Sequence, residues 1–474
     1  MNNAIVRLTG ITIQNFKNVT YGTLSFENNR KNYKSSVLGL YGQNGSGKTA
    51  LIDAIEFLKN ALCGREIPSK FADFVNVDSE SATLIYEFHI KIAQGSYKLI
   101  YEVSFKKAVD NTTQNIEQAI YDGTKYRTSI FNEVIKTTIL STNSKNRMGK
   151  LIDTNTDEIF LPRNKVNLLV GKEKKTKTNL LVAKKLTETS SRSFIFSPEL
   201  LNAIREHVKD SENEEQFFYS ALLEALVKFG NRELFIVNTS TSGLISLNAQ
   251  PLMFKYESSR SSAVGTIMLP LDQPAVIPKE TFGVVENIIQ NMNIVLKQLI
   301  PGLVISIKEL GTQFMDEDKI GVRIQLMSRK NSKEIALKYE SEGIKKIISI
   351  LQLLIVVYNK PSITVAIDEL DSGVFEYLLG ELLRIISEKG KGQLIFTSHN
   401  LRPLETLDKG FIAFTTVNPK NRYIRLSNVK ETNNLRDFYY RDIMLGEQNE
   451  TVYEPTNNAE ISFAFRKAGE AIGS

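Results

Sequence analysis

The sequence predicts an α/β fold: a mixed sheet built around a glycine loop, an antiparallel β-subdomain beside it, and an inserted helical subdomain. Three observations predict it. The stretch "LGLYGQNGSGKTALIDAI", Leu38 to Ile55, runs from an apolar strand through a glycine-rich turn into an amphipathic helix. Two later segments, "TLIYEFHIKI" and "YKLIYEVSF", alternate apolar and polar residues with the period of half-buried strands. Beyond residue 193 the apolar period becomes helical.

Taken in order, residues 5–26 alternate and read as two or three strands, with Gly10 and Gly22 as turns. After Lys48, the residues Leu51, Ile55, Leu58 and Leu62 mark one helical face. Leu84, Tyr86, Phe88, Ile90 and Ile92 then point to one side of a strand. Tyr97, Leu99, Tyr101, Val103 and Phe105 do the same in the next, across an "AQGS" turn. A further hairpin is expected at Asp122-Gly123. Residues 141–193 are polar and lysine-rich, and "GKEKKTKTNLLVAKK" at 171–185 reads as a solvated loop that could meet DNA or an acidic protein. Ser197 and Pro198 open a helix as N-cap and first helical residue. Phe218, Leu222, Ala225, Leu226 and Phe229 share a face of the next, and Val285, Ile288, Ile289, Met292, Val295, Leu296 and Leu299 of another. Strands return at "LVISIKEL" and "KIGVRIQLMS", and strand–helix units follow to about 427. The expected division is an N-terminal lobe at 1–140, the insertion at 141–300, a C-terminal lobe at 301–430 and a tail at 431–474.

Composition narrows the class. With 474 residues, 42% of them in the hydrophobic group, the chain can bury two or three substructures. A net charge of +6 suits nucleic acid or an acidic partner but is far from a histone-like excess. One cysteine, Cys63, excludes a disulfide framework, and His89, His207 and His399 are too scattered for a zinc cluster. The start "MNNAIVRLTG" does not read as a signal peptide, and the longest apolar run, Ile347–Tyr358, is short of the ~20 residues a bilayer needs. A cytoplasmic protein without membrane contact is expected.

Gly42-Gln43-Asn44-Gly45-Ser46-Gly47-Lys48-Thr49 fits G-x-x-x-x-G-K-[ST] in full. Its glycines let backbone N–H groups, Asn44 and Ser46 among them, turn toward phosphate oxygens; Lys48 adds charge at the β/γ-phosphates, and Thr49 is placed to ligate Mg²⁺. "SITVAIDELD", Ser362 to Asp371, is a buried strand ending in two carboxylates: Asp368 to hold Mg²⁺ through a water, Glu369 to polarise the attacking water. Just ahead of it, Ser341-Glu342-Gly343 opens a long apolar helix. His399 ends another buried strand, "GQLIFTSHN".

Glycine loop, Ser-x-Gly helix start, Asp-Glu strand, Asp371 and strand-end histidine, in this order, resemble the ATP-binding-cassette (ABC) ATPase core. Within it the chain resembles the RecF/Rad50/SMC branch, and most closely the AAA15/OLD-like ATPases of bacterial anti-phage systems; "ITIQNFKN" is similar to that branch's opening strand. The resemblance spans about 1–110 and 300–427. It implies an ABC-type ATPase core with an inserted helical lid, hydrolysing ATP with Mg²⁺ in a homo-oligomer whose subunits share ATP sites. Ser341 and Gly343 match the signature that binds the γ-phosphate held by the opposite subunit, although Glu340 and Ile344 depart from the usual motif. His399 matches the switch histidine, and Asp371 the loop that crosses the interface. A glutamine loop has no evident match.

The loop-to-signature gap, 293 residues (341 minus 48), and Leu370 in place of a proline argue against a transporter cassette. The gap holds no heptad arms of the SMC kind. After His399 no Asp-x-Asp follows, so a fused TOPRIM nuclease is not expected. The resemblance implies the sensor subunit of a two-gene defence system of the PARIS or AbiL kind, controlling a separate TOPRIM-type nuclease and triggered by a phage protein or DNA. The alternative is a RecF-like repair or chromosome-maintenance ATPase acting directly on DNA. The tail, with Tyr453, Phe463 and Phe465, is expected to dock on the body or a partner.

Overall fold

A strand's N–H and C=O groups must find partners, and the chain meets this need with two separate six-stranded sheets. The structure, a computed structural model, describes residues 4–27, 36–93, 95–110, 126–140, 147–209, 211–257, 262–315, 320–427, 429, 434–446 and 448–472.

β1 (Ile5–Phe16) and β2 (Val19–Ser25) form an antiparallel hairpin that reverses at Lys17 and Asn18, not at Gly10 or Gly22. Gly22 lies inside β2, where a Cβ would fall 2.6 Å from the Tyr423 ring. It is a glycine of close approach rather than of a turn. β3 (Ser36–Tyr41) feeds the glycine loop and then α1 (Lys48–Leu62). β4 (Ser81–Ile92), β5 (Gly95–Val109), β6 (Tyr126–Ile139) and β7 (Gly149–Asp153) complete an antiparallel sheet ordered β2-β1-β4-β5-β6-β7. The inward residues expected of β4 and β5 are buried. The Asp122-Gly123 hairpin lies outside the described residues.

The insertion continues with α2 (Arg163–Val170), α3 (Lys174–Thr189), α4 (Pro198–Lys209) and α5 (Glu214–Lys228). The Ser197 hydroxyl accepts the Leu200 N–H at 3.3 Å, capping α4. The lysine stretch is a helix, α3, rather than a loop. Leu180, Ala183 and Thr187 give it a buried side, and Lys184 donates to the Thr156 and Glu158 carbonyls. Glu133 of β6 ties sheet to insertion: it accepts from the Tyr101 hydroxyl at 2.6 Å, from Ser193 and from the Phe194 N–H at 2.7 Å. Burial pushes its pKa up, against these bonds.

Then come β8 (Leu234–Val237), α6 (Thr239–Ser246), the hairpin β9 (Ala249–Glu257) and β10 (Ser262–Pro270), β11 (Ala275–Pro278) and α7 (Lys279–Leu299). β12 (Val304–Phe314), β13 (Ile320–Lys330) and β14 (Lys333–Ala336) join β11 in a small antiparallel sheet. α8 (Glu342–Asn359), β15 (Thr364–Ile367), α9 (Glu376–Lys389), β16 (Gln393–Thr397), α10 (Pro403–Thr406), β17 (Ile412–Thr415) and β18 (Tyr423–Ile424) follow. α11 (Leu435–Leu445) and α12 (Asn458–Ile472) end the described chain.

The central sheet runs β18-β17-β3-β16-β15-β8, parallel but for β18. α1 lies in the core that joins this sheet to the antiparallel one; it is buried on nearly every side, and the Tyr86 hydroxyl donates to its Ala54 carbonyl at 2.6 Å. Each large apolar side chain so buried contributes about 1.5–3 kcal/mol. α8, α9 and α11 cover the opposite face. The insertion is therefore not purely helical. β7 extends the first sheet past residue 140, and β8 enters the central sheet from within 141–300, because an unpaired edge beside β15 would leave buried backbone groups unbonded. In the tail, Val452 is buried and Tyr453 packs against the core, whereas Phe463 and Phe465 stand exposed on α12.

Candidate functional site

The loop after β3 is held in its shape by three glycines with positive φ: Gly42 at 151°, Gly45 at 75° and Gly47 at 96°. At Gly42 there is also no space, since a Cβ would lie 1.8 Å from Thr415 Oγ1. Groups from distant strand ends fasten the loop from behind. Ser46 Oγ meets Thr415 Oγ1 at 2.5 Å, the Tyr423 hydroxyl donates to the Gly47 carbonyl at 3.0 Å, and the Asn18 amide donates to the Gly45 carbonyl. The Gln43 amide accepts from the Glu454 N–H at 3.0 Å. Lys48 Nζ donates to the Gly42 and Gln43 carbonyls at 2.8 and 2.9 Å. Burial lowers its pKa, and the negative charges of Asp368, Glu369 and Asp371 work against that shift.

Asp368 leaves the C-terminal end of β15 fully buried, its N–H bonded to the Val237 carbonyl of β8 at 2.8 Å. Its Oδ1 accepts from the Thr397 hydroxyl at 2.5 Å, and its Oδ2 is buried without a hydrogen-bond partner. Glu369 has φ of 47°, a strained setting for a residue with a side chain. Asp371 is engaged within its own chain: Oδ2 accepts the N–H groups of His399 and Asn400 at 3.1 and 2.9 Å.

One cleft of about 310 Å³ gathers Asn44, Gly45, Gly47, Lys48, Thr49, Asp368, Glu369 and His399. Gly42 and Ser46 form the loop's back rather than the cleft lining, and Asp371 sits behind the histidine loop. Ser341 and Gly343 are not part of the cleft. Ser341 is exposed as the N-cap of α8, accepting the Ile344 N–H at 3.3 Å. Gly343 packs so tightly on the next loop that a Cβ would lie 2.0 Å from the Gly373 carbonyl oxygen.

Mg²⁺ takes few protein ligands and several phosphate or water oxygens. The unpartnered Asp368 Oδ2 and the Thr49 hydroxyl, on one cleft, fit that demand. Among the described residues no group of three or more His, Cys, Asp or Glu side chains could hold a metal by itself. The sequence reading missed Thr397, Thr415, Asn238 and the cleft residues Lys17 and Asn18. Asn238 follows β8 beside Asp368, accepts the Thr241 N–H at 2.9 Å and donates to Glu56 at 3.4 Å. None carries a local motif; Lys17 and Asn18 form the β1–β2 turn, and strand order sets Thr415 by the loop and Thr397 and Asn238 by the end of β15.

The model of the AAA ATPase domain family, AAA_15, matches residues 7–402. The chain belongs to this family. The expected activity, ATP hydrolysis, follows for this ATPase, as does ATP as its ligand. It is 29% identical over 170 residues to one subunit of the nuclease SbcCD from Clostridium acetobutylicum, a match over 34% of the chain that spans only 14% of that protein. Among solved structures it is similar to an SMC head bound to the C-winged helix domain of ScpA, at 13% identity over 89% of this chain and 98% of that one, TM-score 0.39. The SMC head domain from Thermotoga maritima gives 14%, 89%, 99% and 0.38. The recombination mediator protein RecF with ATP gives 14%, 90%, 100% and 0.36. No described helix of the ATPase is long and apolar enough to cross a membrane.

Proposed function

We propose that this ATPase binds MgATP in the cleft, closes it with Ser341 and Gly343 of a second copy, and uses that cycle to control a separate TOPRIM-type nuclease in anti-phage defence. One observation carries the nucleotide part of the reading. The phosphate loop and the acids converge in one cleft, while the signature serine stands exposed elsewhere on the same chain.

Phosphoryl transfer asks for positioning and charge neutralisation more than covalent help. The loop N–H groups and Lys48 hold the phosphates; Lys48 gives two of its three N–H donors to the Gly42 and Gln43 carbonyls and keeps one for a phosphate oxygen. Asp368 and Thr49 hold Mg²⁺, which when bound neutralises charge on the phosphate oxygens. Glu369 orients and activates the water, and His399, which lines the cleft, contacts the γ-phosphate. The N-terminus of α8, capped at the Ile344 N–H by Ser341, presents a partial positive charge to a neighbour's γ-phosphate. A relative that is by name one subunit of a nuclease supports a nuclease as the partner.

A second reading, direct action on DNA in the RecF manner, is favoured by α3 and its approach, where Lys172, Lys174, Lys175 and Lys185 are exposed. The test has two parts. Glu369→Gln should keep ATP binding and ATP-dependent association while turnover falls about 10²–10⁴-fold; normal turnover ends the assignment of Glu369. In native cells, loss of the ATPase should raise phage plating, and the protein should purify with a nuclease in fixed ratio. Unchanged plating and purification with DNA alone would favour the second reading.

A further inference from the structure

We propose that Thr397 is a positioning residue that sets the Mg²⁺ carboxylate and the water-activating carboxylate of the cleft as one unit. The inference rests on the roles given above to Asp368 and Glu369.

A hydroxyl has one proton to donate and lone pairs to accept. The Glu369 N–H can only donate, and it reaches Thr397 Oγ1 at 2.8 Å. The hydroxyl proton is therefore free for Asp368 Oδ1, at 2.5 Å. This fixes which carboxylate oxygen is satisfied: Oδ1 is taken, and Oδ2 is left buried and unpaired on a residue that lines the cleft. The same hydroxyl accepts from the Glu369 N–H while that residue holds a left-handed setting, a strained conformation that persists only where neighbours enforce it. Thr397 is fully buried, and its branched Cβ restricts rotation about χ1.

The main chain repeats the link. The Thr397 carbonyl accepts the Leu370 N–H at 3.0 Å, and Asp371 Oδ2 accepts the His399 and Asn400 N–H groups. Residues 368–371 and 397–400 are thus clasped at both ends, with Thr397 the point where Asp368, Glu369 and the histidine loop meet.

The test compares Thr397→Val, which keeps shape and loses the hydroxyl, with Thr397→Ser, which keeps the hydroxyl. Three quantities are read: ATP turnover, the Mg²⁺ concentration for half-maximal turnover, and binding of a fluorescent ATP analogue without Mg²⁺. Thr397→Val should lose about 10–100-fold in turnover and need more Mg²⁺, as supporting groups around metal ligands do, with Mg²⁺-free binding changed by less than about twofold. Thr397→Ser should restore most of the turnover. Wild-type turnover in Thr397→Val, equal impairment of the serine variant, or joint loss of Mg²⁺-free binding overturns the inference. An inactive Glu369→Gln beside a normal Thr397→Val sinks this inference alone. An active Glu369→Gln sinks the reading of Glu369, and the Mg²⁺ requirement of Thr397→Val then still decides the Asp368 side.

Discussion

The two parts of the proposed ATP site are built in opposite ways. The loop half, Gly42 to Thr49 with Asp368 and Glu369, follows the ends of β3 and β15 and is fastened from behind by Thr415, Tyr423, Asn18 and Glu454. The signature half, Ser341 to Gly343, is an exposed helix start whose serine, in the described contacts, caps its own helix. Yet the halves are not independent. The loop that carries Asp368 and Asp371 at one end packs Gly373 against Gly343 at the other. Under the proposed reading, a preassembled half and an open half joined by one short loop would let a partner's arrival be felt at the acids.

The sharpest break of this comparison is Lys48→Ala. Its ammonium bonds only loop carbonyls in the described contacts, so the fold should survive while nucleotide affinity falls about 10²-fold by titration. Retained affinity would mean that the loop half is not where phosphate binds. Ser341→Arg should do the reverse: ordinary ATP binding by the separate chain, and turnover lost through a blocked neighbour site. Mixing the two dead proteins then gives a direct test. A mixed pair holds one site with an intact Lys48 and an intact Ser341 from opposite chains, so turnover should reappear. No recovery would rule out completion in trans.

Legibility in the sequence followed the same divide. The glycine loop, α1, β4 and β5 were readable because each declares itself within a dozen residues, by motif or by period. The Asp368-Glu369 strand end was readable once the loop was known. β8 was not: "LFIV" is four apolar residues at a helix end, and its partner β15 is 130 residues away (364 minus 234). Thr397, Thr415 and Asn238 stayed hidden for that reason, being ordinary polar residues that matter only through strand order. Gly22 misled because a glycine in an alternating segment signals a turn, while here it makes space for Tyr423. The lysines of 171–185 masked a helix whose buried side is only three residues wide.

Smaller changes sharpen the link between the halves. Gly343→Ala puts a methyl against the Gly373 carbonyl and should cost about 1–3 kcal/mol by urea unfolding, as overpacking does, with a fall in turnover larger than any fall in ATP affinity. Equal losses would show the contact to be packing alone.

The smallest expected effect probes the other boundary, between loop and tail. Gln43 sits inside the phosphate loop, and its amide accepts the Glu454 N–H at 3.0 Å and donates to the Glu454 carbonyl at 3.5 Å. The segment is held independently: Val452 is buried, the Val417 N–H meets the Thr451 carbonyl at 2.8 Å, and Glu450 accepts from Asn418 and Asn421. Gln43→Ala should therefore cost only about 0.5–1.5 kcal/mol of stability, the worth of an ordinary hydrogen bond, with ATP affinity little changed by titration. A loss of affinity approaching that of Lys48→Ala would make the tail part of the phosphate loop's scaffold. The preassembled half would then reach to Glu454, and the exposed α12 that follows would be mechanically joined to the nucleotide.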